Sequence, residues 1–411
     1  MIRLLLALSF IQSFATVLLE RGLYFYTEER LAFTDAQNLT LALVFGLTYA
    51  AGALGSHKFT ARRGERPTLR AVLLGLLLLQ TLIALRTSPV VVWLGFAGIG
   101  LLEGMKWPIF ESYLTAGASP ERLAKIVGRF NVAWSSAMPL GLIVSGPLMA
   151  SAQPTSFILL AAAIHLVTLG LIAGLPRVPI HLAPDHPARP GPEKLRRYRA
   201  LMVSSRWSML GGCAMMFLLA PLLPTLFTDR LGHAVRWAPG LSSVIDASRL
   251  GAFVLLGLFT AWRGLSLPLA VTAVGAPAGF VMVLFAPTTA VALLGQAVFG
   301  LCIGMTYYAA LYHGMVLHNA SVRGGGHHEA LIGSGFALGP AVGLLGIAAA
   351  RGTGNLTTGM ALAVAPFLLL CLFASLRPLI QLYRFDPEPD PCPAPKARGP
   401  YNPVSNSPPT P

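Results

Sequence analysis

The chain has 411 residues, 55% of them hydrophobic and 11% charged, and a net charge of +14. A soluble domain averages about 45–50% apolar and about 25% charged, so a large water-soluble core is excluded. The basic excess lies in short breaks between long apolar blocks, where it orients a membrane protein; no basic face on a folded domain is present to hold nucleic acid.

Crossing a bilayer takes about 20 apolar residues. Cutting the chain at charges, prolines and glycines predicts about twelve spans. They run 4–26, 36–57, 69–86, 90–114, 124–149 and 154–174, then 205–228, 238–261, 266–286, 289–316, 328–350 and 357–380. The expected fold class is an all-α polytopic membrane protein. Met1–Leu19 has the look of a signal peptide, but no small-x-small cleavage site follows and Glu20-Arg21 comes next, so it reads as an uncleaved first span. Residues 175–204, with six prolines and a run of Arg and Lys, form a basic linker between halves 1–174 and 205–383. Residues 384–411 are rich in proline and polar residues, the composition of a disordered tail.

Most basic residues fall on one side if both termini and the linker share it. The other side keeps Arg21, Arg30, Arg86, Arg230, Arg236 and Arg351. That bias puts both termini in the cytoplasm of a plasma or bacterial inner membrane. The four cysteines, Cys213, Cys302, Cys371 and Cys392, are scattered without metal-type spacing.

Three segments repeat in a single register. Arg30-Leu31 pairs with Arg230-Leu231, and Phe59-Thr60-Ala61 with Phe259-Thr260-Ala261, each followed by Arg-Gly. Gly100-Leu101-Leu102-Glu103-Gly104-Met105 pairs with Gly300-Leu301-Cys302-Ile303-Gly304-Met305. Each match sits at the same place in its half, which argues for duplication. Six spans per half is an even number, so the halves are parallel six-helix pseudo-repeats.

Two such halves, a basic central linker and termini on one side resemble the major facilitator superfamily, over residues 1–383. The stretch Gly52-Ala53-Leu54-Gly55-Ser56, followed by Arg62-Arg63-Gly64, is similar to that family's G-x-L-x-D-R-x-G-R-R signature, with Ser56 in the acidic position. The resemblance implies a gating contact at Arg63 and a central cavity lined by the first, fourth, seventh and tenth spans. Gly335-Phe336-Ala337-Leu338-Gly339-Pro340-Ala341-Val342-Gly343 fits the G-x-x-x-G-P-x-x-G pattern that the family's antiporters carry in the fifth span. Here it lies in the eleventh. Small residues at this spacing let helices approach closely.

The candidate site residues are the charges and aromatics inside spans, where a charge costs roughly 2.5–3.5 kcal/mol on the mild insertion scale. In the fourth span Glu103, Lys106 and Trp107 share one helical side with Glu111. Glu103 and Lys106 are either a solute or proton site, with Trp107 as its aromatic wall, or a neutralising pair. Glu111 reads as a gate partner for Arg129. Asp246 and Arg249 form a second i,i+3 pair, as a structural pair or a gate. Tyr307 and Tyr308 offer ring faces and hydroxyls in the tenth span, Tyr307 in register with Trp107. His328-Glu329 opens the eleventh span as a proton relay or an interfacial cap. It is not a zinc-protease motif, because Ile332 stands where the second histidine is needed, so no metal is expected.

These residues predict a secondary transporter that moves a small solute by alternating access, with protons as the candidate coupling ion and no cofactor. No Walker A motif is present, so ATP is not its direct energy source. A membrane enzyme, motivated by His327-His328-Glu329 with Asp246, and a non-transporting sensor are the alternatives.

Overall fold

The computed structural model describes residues 2–115, 120–179, 192–259, 261–318 and 322–385. Among these residues, twelve helices are long and apolar enough to cross a membrane. In the first half these are α1 (Ile2–Leu31), α2 (Asp35–Arg63), α3 (Glu65–Leu85), α4 (Pro89–Leu114), α5 (Lys125–Met149) and α6 (Ser156–Gly174). In the second they are α7 (Arg196–Leu219), α8 (Ala238–Leu258), α9 (Leu267–Leu284), α10 (Thr289–Gly314), α11 (Gly324–Thr353) and α12 (Leu356–Arg384). In hydrocarbon each backbone N–H and C=O must be satisfied within the segment, and a helix does this without partners. An even number of crossings puts the start of α1 and the end of α12 on one face, the termini face. The expected tail beyond 385 and linker residues 180–191 lie outside the described residues.

The seventh span differs from its expected position at 205–228. Its helix starts at Pro192 and ends at Leu219. The charges of Arg196, Arg197 and Arg199 ride on a helical extension of the apolar segment, so charge marks where the apolar part ends and not where the helix does. Pro221 and Pro224 lack the N–H a continuing helix needs, and the chain passes instead through a short turn and a π-helical turn at Leu226–Arg230.

The duplication is visible in the structure. Gly64 and Gly264, in the repeated Arg-Gly pairs, both take positive φ, 87° and 83°, a region that glycine enters without steric penalty. The pattern of buried and exposed positions along 91–114 recurs residue for residue along 291–314. Gly100 and Gly104 bring α4 against the backbone of α2 at Phe45 and Tyr49. Gly300 and Gly304 bring α10 against α8 at Ile245 and Arg249. The same small-residue contact is thus used at the same depth in each half.

The halves meet where α2 packs on α11 and α5 on α8. Away from the termini face the seam is closed by stacked rings. Phe217 of α7 lies 3.5 Å from Phe336 of α11, 14° from parallel, and Phe45 of α2 stacks within 6.4 Å of both. The glycine stripe of α11 serves packing: Gly335 and Gly339 rest on α7 at Cys213 and Ala214, and Gly343 on Leu39 and Leu218.

Candidate functional site

At the centre of the seam lies a cavity lined by residues of both repeats. All four spans named by the resemblance, α1, α4, α7 and α10, contribute to its wall, and so do α2, α5, α8 and α11. Most of the wall is apolar or aromatic, with Phe130, Trp134, Met138, Met209, Met216 and Ile303 prominent. Set into it are Glu20, Arg21, Arg249 and Glu329.

One polar group ties α1 to α8. Asp246 accepts from Arg21 at 2.8 Å and from Arg249 at 2.6 Å, and all three side chains are buried. Arg249 also lies over the Trp134 ring, 4.7 Å from its centroid, a cation–π contact that holds the guanidinium against the cavity wall. Both helices are interrupted here. The helix Ile2–Glu20 breaks at Arg21 and restarts at Gly22, while Ala238–Ser242 breaks at Ser243. The Arg21 guanidinium donates to the Ser242 carbonyl at 3.5 Å. Arg21 was expected at the outer end of a span. It is instead 1% exposed, because its charge finds a buried carboxylate from the other half. The i,i+3 pairing of Asp246 with Arg249 is present as expected, and Arg21 is the addition.

A second polar group lies within the first half. Lys106 donates to Glu103 (2.8 Å), Thr16 (3.0 Å) and Gln12 (3.2 Å). Thr16 in turn donates to Glu103 at 3.0 Å, and Gln12 to Thr168 at 2.7 Å. Gln80 and His165 meet at 3.0 Å, both buried on neighbouring helices α3 and α6. Lys106 is fully buried and sits 4.9 Å from the Trp107 ring centroid. Neither Glu103 nor Lys106 is among the cavity-lining residues, whereas Trp107 and Thr16 are. The pair therefore stands behind the wall and supports it.

A third group forms at the termini-face end of the cavity. Tyr49 of α2 donates a short hydrogen bond to Glu329 of α11. Glu111 of α4, His328 and Glu329 have ligand-type atoms within 4.8 Å of one another, all buried. His328 packs edge-on to Tyr307, whose centroid is 5.6 Å away. Tyr307 lines the cavity with Trp107. Tyr308 does not. It is buried edge-on against Phe253 and Trp262. Arg129 and Arg63 are exposed, and His327 is exposed beside the buried His328.

Sequence reasoning passed over Gln12, Thr16, Glu20, Arg21 and Tyr49. Glu20-Arg21 carried a usable signal, two charges inside an apolar run of about 30 residues. The others are ordinary polar residues in spans, and only their neighbours make them notable.

The family model described as Major Facilitator Superfamily matches residues 4–327. The chain belongs to that superfamily. Its fold is similar to that of a crystal structure described as a bacterial homologue of the human lysosomal transporter Spinster, in an inward-facing and unoccupied conformation. The TM-score is 0.62 and the identity 16%, covering 92% of this chain and 95% of that one. No curated protein matches. This member of the superfamily is thus an integral membrane protein of a transporter family, with twelve spans in two six-helix repeats.

Proposed function

We propose that this protein is a secondary transporter that carries a small amphipathic solute by alternating access, with protons as the coupling ion. The bundles 1–174 and 205–383 rock about the central cavity, and each ligand shifts the balance between states open to either side. The observation that carries the reading is the cavity itself: it lies on the seam between the repeats, draws on eight of the twelve spans, and sets charges into an apolar wall. Its lining suits a solute with an apolar body, received by the methionines and rings, and an anionic group placed near Arg249. The positive-inside bias supports termini in the cytoplasm.

Proton coupling falls to the cavity carboxylates Glu20 and Glu329, because Glu103 and Asp246 already face a lysine and two arginines. The test is flux in proteoliposomes, after a thermal-shift screen of metabolites has found a stabilising solute. A pH gradient should drive uphill accumulation in the parent, and Glu329→Gln should lose the response. Flux that ignores the gradient at every pH tried removes proton coupling. Binding without any flux removes the carrier.

A further inference from the structure

On the face away from the termini, the two repeats meet through side-chain oxygens. Glu28, near the end of α1, faces Thr225 and Thr228 in the chain between α7 and α8. The Thr228 hydroxyl is 3.0 Å from Oε1 of Glu28, and the Thr225 hydroxyl is 3.3 Å from its Oε2. Glu28 and Thr228 are equivalent residues, each two positions before a repeated Arg-Leu pair. The turns that follow them match as well. Ala32 and Gly232 both take positive φ, 52° and 71°, and the next amides, of Phe33 and His233, donate to the Thr27 and Phe227 carbonyls at 3.1 and 2.8 Å. Residues exchanged by a two-fold axis touch only beside that axis. The contact therefore lies where the repeats must part if this face is to open.

Too many acceptors crowd the two hydroxyls. Thr228 is also 2.9 Å from the Pro224 carbonyl and 3.0 Å from Oδ1 of Asp229, and Thr225 is 2.6 Å from Oδ1 of Asp35 at the start of α2. A hydroxyl carries one proton to donate. With Glu28, Asp35 and Asp229 all ionised, two protons would serve five such contacts. Among the described residues, the charged groups facing Glu28 are Asp35 and Asp229, both acidic. Arg30 turns to the Met149 carbonyl at 3.4 Å, Arg230 to the Leu284 and Ala286 carbonyls at 3.3 and 3.4 Å, and His233 to Thr289 at 2.9 Å. Glu29 is exposed. Asp35 has Arg230 beside it and opens a helix, whose positive end favours a carboxylate. Asp229 is exposed to water. Half-buried Glu28 has neither advantage and touches both hydroxyls, so a proton there supplies a donor and removes a charge at once.

We propose that Glu28 is a proton-operated latch: it carries a proton while this face is closed, and losing that proton to water on the same face lets the repeats part there. The inference rests on the alternating-access reading and adds to it a titrating group outside the solute cavity. Protonated, Glu28 donates to Thr225 and accepts from Thr228, while Thr225 donates to Asp35. Ionised, it loses that donor and repels Asp229 across the seam. The closed form thus binds one more proton than the open form. Acid on this face favours closure, and a rising pH favours opening.

The test measures the width of the seam in the full chain, in nanodiscs and without solute. The four native cysteines are replaced by alanine. Spin labels are attached at Ala152→Cys and Ala290→Cys, exposed positions on this face of the first and second repeats. Double electron–electron resonance should show a longer-distance population that grows with pH. Its ratio to the shorter one should rise by up to about tenfold per unit over about pH 5 to 8. Glu28→Gln keeps a neutral amide donor in place and should hold the short distance at every pH. Thr228→Val removes one hydroxyl and should raise the long-distance population at every pH. A parent distance that ignores pH overturns the proposal, as does a folded Glu28→Gln that follows the parent's curve. If Glu28→Gln does not fold, a Thr228→Val curve identical to the parent's has the same force. Long distances gained in Thr228→Val, without any pH response in the parent, overturn the latch and leave the rocking of the bundles standing. Distances fixed in every protein overturn both.

Discussion

Replacing Lys106 with methionine removes the cation from a carboxylate that has no access to water. Lys106 meets Glu103 at 2.7 Å and also donates to Thr16 and Gln12. In the variant, Glu103 keeps only the Thr16 hydroxyl, and the Gln12 carbonyl oxygen loses its donor. Breaking a buried ion pair from one side costs about 3–5 kcal/mol, while replacing both partners by neutral groups of similar size is often neutral or stabilising. Glu103→Gln, Lys106→Met and the double variant therefore form a cycle. Each single change should lower stability by about 3–5 kcal/mol, and the double variant should recover most of it. Unfolding in mixed detergent micelles, followed by circular dichroism or by labelling of buried cysteines, measures all four proteins. Because neither residue lines the cavity, the double variant should also bind solute about as the parent does. A loss below about 1 kcal/mol in Lys106→Met, or a double variant as unstable as the single, refutes the reasoning. Solute binding abolished in a stable double variant would return the pair to the solute site.

Asp246→Asn should destabilise the protein by a comparable amount, about 3–5 kcal/mol, since it leaves the buried guanidinium groups of Arg21 and Arg249 without their shared carboxylate. An unchanged unfolding midpoint would show that the pairing contributes nothing. Gly339→Val places a side chain against the Ala214 backbone of α7, where neither helix can yield locally. Overpacking of this kind costs about 1–3 kcal/mol or more, read as a lower midpoint in detergent. A fully stable variant would remove the packing role of the glycine stripe. Arg62→Cys near the end of α2 and Leu265→Cys in the turn between α8 and α9 should react with an impermeant maleimide from the same face of the membrane. Reaction from opposite faces would be incompatible with parallel repeats.

Much of the fold was legible because it follows from local conditions. A run of about 20 apolar residues in lipid has one stable form, and the charges flanking it mark its ends and its direction. The duplication was legible in three short matches, since a glycine at a close helix contact cannot drift without opening that contact. The error at the seventh span has the opposite origin: a helix continues past its apolar part when charged residues are good helix formers, and hydropathy does not register this.

The candidate site was legible by residue type and not by assignment. Glu103, Lys106, Asp246, Arg249, Glu111 and Glu329 all stood out as charges inside spans. Position along a helix could not say which of them face the cavity. Glu103 and Lys106 share a helix side with Trp107, yet only the tryptophan reaches the lining. Arg129 reads as a partner for Glu111 in the sequence; in the structure Arg129 is exposed, and Glu111 lies beside the buried His328 and Glu329.

Taken alone, the sequence determined that the chain spans a membrane, how often, in which repeats, and which residues are too costly to be buried without a partner. Those are properties of single segments and their solvent. The partners were decided only by tertiary structure. Asp246 joins Arg21 across 225 positions, and Tyr49 joins Glu329 across 280. A charge in a low-dielectric interior is stabilised by whatever lies within a few ångströms, and in this protein that distance is set by how two bundles meet.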